Sequence, residues 1–149
     1  SLDLYEDNFD RASSVALAVN TSQSESLAKH QRNVLSNIGH ALISEKKMAQ
    51  AEKIFQELCQ RFPDSIHGFY GLGKTLQEQG KVKDALPHLE KSLAIEANAN
   101  VLYRLGKAWQ SLGDKVKAIA AFEKALSFKP ELAKKTKADA EEQLKALRG

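Results

Sequence analysis

The sequence holds one cysteine, Cys59, so no internal disulfide can staple it and a disulfide scaffold is excluded. Charge of one sign is also lacking. Twenty-two basic residues face 19 acidic ones, for a formal net charge of +3, which disfavours strong steering toward nucleic acid. Aromatics make up 7% of the chain, and no aromatic and basic strand platform of the kind that stacks bases is present. No stretch approaches the roughly 18 uninterrupted apolar residues of a membrane span. The N-terminus opens on Asp3, Glu6, Asp7 and Asp10, where a secretory signal would be basic. A chain off the membrane is expected, with the cytoplasm as the favoured setting. What is present is 42% hydrophobic and 28% charged residues over 149 positions, enough to bury one core in one domain.

Aligned with itself, the sequence repeats. Gly39, Gly73 and Gly106 recur at spacings of 34 and 33, and each is followed twelve residues later by an alanine, Ala51, Ala85 and Ala118. Ile38, Leu72 and Leu105 precede the glycines. Leu42, Leu76 and Trp109 follow them by three, and Phe55, Leu89 and Phe122 follow the alanines by four. Each unit therefore shows a 3.6-residue apolar period twice, which predicts two amphipathic helices per unit. Glycine inside a helix costs about 1 kcal/mol relative to alanine, so three in register need a packing reason. The expected reason is a close crossing of the two helices, with the alanine as the facing small surface. Gly80 and Gly113 stand where the first helix of a pair should stop, because glycine accepts the left-handed conformation there. Pro63 and Pro130 end second helices, while Pro87 lies a few residues into one and removes a backbone donor.

On these residues the pattern resembles the tetratricopeptide repeat over about residues 32 to 131. The third unit matches best, through Leu102, Leu105, Gly106, Trp109, Ala118, Phe122, Ala125 and Pro130. The second carries Ser92 for a small alanine and Ala97 for a proline. The first carries Leu58 where a small residue is usual and Lys46 for the glycine between helices. The resemblance implies an all-α helical-repeat solenoid. It would hold an N-terminal helical segment over 1–31, repeats over 32–65, 66–98 and 99–131, and a capping helix over 132–149.

The flanks read as helices too. Residues 131 to 148 place Leu132, Ala133, Ala140, Leu144 and Leu147 on one face among interspersed charges, as a solvating cap would. Phe9 to Asn20 resembles the second helix of a degenerate repeat, or else a dedicated cap. Helical spacing from Ser24 through Leu27, Gln31, Val34 and Leu35 suggests that the first leading helix starts early, with Ser24 as its N-cap. Residues 1 to 31 carry a net charge of −3 and the remainder +6. The stack is thus expected to favour acidic partners, or to be covered by its own acidic N-terminus.

No catalytic constellation stands out. His30, His40, His67 and His88 lack metal-ligand spacing with Cys59 or with one another. GLGKT at residues 71–75 lacks the full phosphate-loop spacing and falls inside a predicted helix. Cys59 reads as a buried, inert thiol. No cofactor or metal is expected, and no enzyme activity.

The resemblance further implies a concave groove lined by the leading helices, taking an extended or helical peptide. Projection places Asn33, Ser36, Asn37, His40 and Ile43 there from the first unit. The second contributes His67, Tyr70, Lys74 and Gln77, and the third Asn100, Tyr103, Arg104, Lys107 and Gln110. Tyrosine and arginine suit a recognition surface, and Lys74, Arg104 and Lys107 favour a carboxylate or acidic stretch. The subtype that clamps chaperone C-termini needs lysine, asparagine and arginine at places that here hold Ser36, His40, Gly71, Asn100 and Arg104. Only Arg104 fits, so an Hsp90-type clamp is not expected. The expected function is a non-catalytic scaffold that binds a peptide or protein segment. The alternative is a substrate-positioning region of a larger enzyme such as a glycosyltransferase or sulfotransferase.

Overall fold

The computed structural model describes residues 21–149, all of whose regular elements are helices. In chain order these are α1 (Thr21–Ser44), α2 (Met48–Arg61), α3 (Ile66–Glu78), α4 (Val82–Ile95), α5 (Ala99–Ser111), α6 (Lys115–Ser127) and α7 (Lys134–Arg148). Each helix packs on the next, and the leading helices α1, α3 and α5 also touch one another in turn. The result is three helix pairs stacked in sequence, closed by α7. The segment Phe9 to Asn20 lies outside the described residues. Ser24 sits within α1 and so is not its N-cap, and the boundary expected after residue 31 falls inside this one continuous 24-residue helix.

The three pairs turn in the same way. Lys46 N–H donates to Ile43 O and Lys47 N–H to Leu42 O. Gly80 and Lys81 bond Gln77 and Leu76 likewise, and Gly113 and Asp114 bond Gln110 and Trp109, all at 2.8–3.1 Å. This pair of bonds closes a helix C-terminus with one residue in the left-handed region. Gly80 and Gly113 supply it at φ 81°, and Lys46 adopts it at φ 63° despite its side chain. The next leading helices are capped where the sequence offers a short polar oxygen. Ser65 Oγ accepts from His67 N–H at 3.3 Å, and Asn98 Oδ1 from Val101 N–H at 3.0 Å.

The repeated glycines have their packing reason, but their partner differs from the expected alanine. A Cβ on Gly39 would overlap the Phe55 ring, one on Gly73 would lie 2.7 Å from Leu89 Cδ2, and one on Gly106 would lie 2.8 Å from Phe122 Cδ1. The large residue four positions after each alanine fills the glycine's vacancy. Ala51, Ala85 and Ala118 are themselves fully buried beside it. Phe55 also lies against Gly71 of the next unit, so one ring is lodged between two helices.

One core runs from Leu35 and Leu42 through Phe55, Leu72 and Leu89 to Val101 and Leu105. A second, built on Leu102, Phe122 and Ala125, is covered by Leu132, Ala140 and Leu144 of the C-terminal segment. Ala133, expected on that apolar face, is exposed. α4 continues through Pro87, which is exposed.

Candidate functional site

The polar side chains of the leading helices meet across the stack in rungs. His40 of α1 and Lys74 of α3 stand 34 residues apart, with Nδ1 and Nζ at 3.4 Å. The Tyr70 ring lies 6.0 Å from that of His40, which also leans on Phe55 at 5.1 Å. Between α3 and α5, Gln77 Nε2 donates to Arg104 O at 2.9 Å, and the Arg104 guanidinium donates to Glu78 at 2.9 Å. From α5 to α7, Tyr103 Oη donates to Asp139, and Lys107 Nζ lies 3.4 Å from the same carboxylate oxygen. Gln110 Nε2 donates to Gln143 Oε1 at 2.8 Å.

The structure thus gathers these side chains into three groups, His40 with Tyr70 and Lys74, Gln77 with Arg104, and Tyr103 with Lys107 on Asp139. Asn33, Asn37 and Asn100 are exposed on the same helices. Two projected positions are buried instead. Ser36, 6% exposed, and Ile43, 7% exposed, belong to the core. Ser36 occupies the register place held by Tyr70 and Tyr103 in the later units, and its side chain is too short to emerge from the packing. Glu78, Asp139 and Gln143 were missed. Their own helices gave no signal, because what brings them in is the neighbouring helix.

Burial and the surrounding cations set the electrostatics. Burial, followed by Lys74, His67 and Arg104, pushes the His40 imidazole down to about 4, so it is neutral near pH 7 and accepts from the Lys74 ammonium. Burial also lowers Lys74, and the nearby Arg104 adds to this. The Tyr103 hydroxyl is pushed up to about 12 by burial and by its bond to Asp139. The same bond, with Gln143 and Lys107, holds Asp139 below the usual carboxylate range.

His67 lines a recess of about 580 Å³ at the α2–α3 turn, together with Arg32, Phe62 and Glu96. The guanidinium of Arg32 stands 5.3 Å from the Phe62 ring. Burial, then Arg32, lowers the His67 imidazole.

Among the described residues no three of His, Cys, Asp or Glu converge as metal ligands would. GLGKT lies inside α3, where Thr75 Oγ1 donates to Gly71 O at 2.7 Å. Burial raises the Cys59 thiol to about 11, which disfavours the reactive thiolate. Among the described residues no helix is long and apolar enough to cross a membrane.

Models of the tetratricopeptide repeat match residues 34–65, 70–96 and 99–132. No curated protein matches the chain in sequence. Solved structures share its fold. SycD, the type III secretion chaperone of Yersinia enterocolitica, solved with a peptide of the translocator YopD, is 20% identical. The match covers 87% of this chain and 97% of SycD at a TM-score of 0.70. PcrH, solved with the chaperone binding region of PopD, is 22% identical over 80% of this chain and 92% of its own, again at 0.70. The MamA protein is 23% identical over 78% of this chain and 61% of its own, at 0.64. With repeat matches along residues 34–132 and one packing register in all three units, the chain belongs to the tetratricopeptide-repeat family.

Proposed function

We propose that this chain is a non-catalytic binding module whose concave face, built from α1, α3 and α5, takes a peptide or protein segment of acidic character. The observation that carries the reading is the pair of polar rungs between successive leading helices, His40 to Lys74 and Gln77 to Arg104, presented by helices whose buried residues form the core. Such rungs offer a ligand donors held in fixed positions by their neighbours, which lowers the ordering cost of binding. The two neighbours solved with protein segments, SycD with a YopD peptide and PcrH with a region of PopD, support a protein segment as the ligand class. We further propose that the protein works in the cytoplasm.

The test compares affinity captures by wild type and by a variant carrying Asn37→Ala, Lys74→Ala and Arg104→Ala, shown to be folded by circular dichroism. A partner held by wild type and lost by the variant supports the groove. Equal recovery of every partner overturns it.

A further inference from the structure

The two ends of the groove differ in what already occupies them. At the third unit, Tyr103 Oη and Lys107 Nζ both address one carboxylate, Asp139 of α7. Gln143, one turn further along α7, donates to the other oxygen of Asp139 at 3.2 Å and accepts from Gln110. Tyr103, Lys107 and Gln110 of α5 are thereby all bound by α7. At the middle of the groove Lys74 hydrogen-bonds the imidazole nitrogen of His40 and feels the charge of Glu78 one turn along its own helix, but no described carboxylate stands within ion-pair range of it. Arg104 stands between, holding Glu78.

We propose that α7 fills the C-terminal end of the groove as an internal acidic stand-in, with Asp139 in the place of a ligand carboxylate. An acidic partner segment then seats on Lys74 and is kept off Lys107. The inference rests on the groove reading above and adds to it the chemistry and register of the ligand. A carboxylate arriving at Lys107 would meet Asp139 at hydrogen-bonding range, like charge against like charge, whereas one arriving at Lys74 replaces a neutral acceptor with a charged one. The helix that closes the stack therefore also sets where binding stops.

The experiment titrates the full 149-residue chain into fluorescein-labelled hexaglutamate at low ionic strength and reads anisotropy. Lys74→Ala is expected to weaken binding about fivefold or more, and Lys107→Ala to leave it within about twofold. Asp139→Ala is expected to tighten it about three- to tenfold, and adding Lys107→Ala to that variant removes the gain. Glu141→Ala controls for net charge. It deletes an exposed acid about 200° around α7 from Asp139 and should tighten binding by much less. Should Asp139→Ala fail to fold, Asp139→Asn deletes the charge and keeps an acceptor for Tyr103.

Equal gains from Asp139→Ala and Glu141→Ala overturn the inference, as does a Lys107→Ala loss in the wild-type background as large as that of Lys74→Ala. In either case a loss on Lys74→Ala leaves the groove reading standing. If Lys74→Ala changes nothing, or if neither wild type nor the Asp139 variant binds saturably below about 1 mM, the groove reading fails as well.

Discussion

The ring of Phe55 occupies the volume that a side chain on Gly71 would need, with Phe55 Cζ 2.5 Å from where that Cβ would stand. Phe55 is fully buried and held on its other side by Gly39, so the ring cannot swing clear. Gly71→Ala is expected to cost about 1–3 kcal/mol through overpacking. Adding Phe55→Leu should recover part of that loss, because the two changes share one space. Urea denaturation of the two single variants and the double one measures the coupling, and strict additivity would contradict the wedge.

Lys46 does with a side chain what Gly80 and Gly113 do without one. A left-handed residue with a Cβ is strained by about 1–2 kcal/mol, part of which glycine returns through its freer unfolded chain. Lys46→Gly should raise stability by about 0.5–1 kcal/mol, seen as a higher denaturation midpoint. Gly80→Ala should lower it by a similar amount, since φ 81° is unfavourable for alanine while the space around it is open.

Ser92 is fully buried, and among the described residues its hydroxyl finds no hydrogen-bond partner. An unsatisfied buried polar group costs about 1–3 kcal/mol, and alanine fits the same site without it. Ser92→Ala is expected to stabilise the chain by about 1 kcal/mol, with a thermal melt as the check. It would also place there the alanine that the third unit holds as Ala125.

His40 makes stability depend on pH. Its folded-state value, about 4, lies below the ordinary 6.5, so between these two values the unfolded chain takes up a proton that the folded chain refuses. Stability is full above pH 6.5 and falls as the pH drops toward 4. His67 and His88, also lowered chiefly by burial, act in the same direction. His40→Gln should flatten this part of the stability profile, and an NMR titration of wild type should show the His40 ring titrating well below pH 6.

Much of this was legible from spacing alone. Glycines 34 and 33 residues apart gave the pairing of helices, and Gly80 and Gly113 gave the turns, because both are local consequences of backbone geometry. The polar face of the leading helices was legible wherever a long polar residue held its register place, as at Tyr70 and Tyr103. It was misread at Ser36 and Ile43, where a short or apolar side chain sinks into the core. The tyrosines, read as recognition residues, also pack on the core. Tyr103 meets Phe122 edge-on at 6.1 Å, so phenylalanine rather than alanine tests the hydroxyl alone. Asp139 could not be found from its own helix, since its role depends on which residues of α5 the stack sets opposite it.

Because Phe55 is lodged between Gly39 and Gly71, the first two repeats share a side chain that neither can release alone. A repeat array usually frays from its ends, unit by unit, when the interfaces are weak relative to the units. Here the first repeat cannot melt away without opening a cavity in the second, so the two should behave as one cooperative block. The amide protons of α2 and α3 would then exchange through a common opening, with Phe55 a principal link between the two repeats.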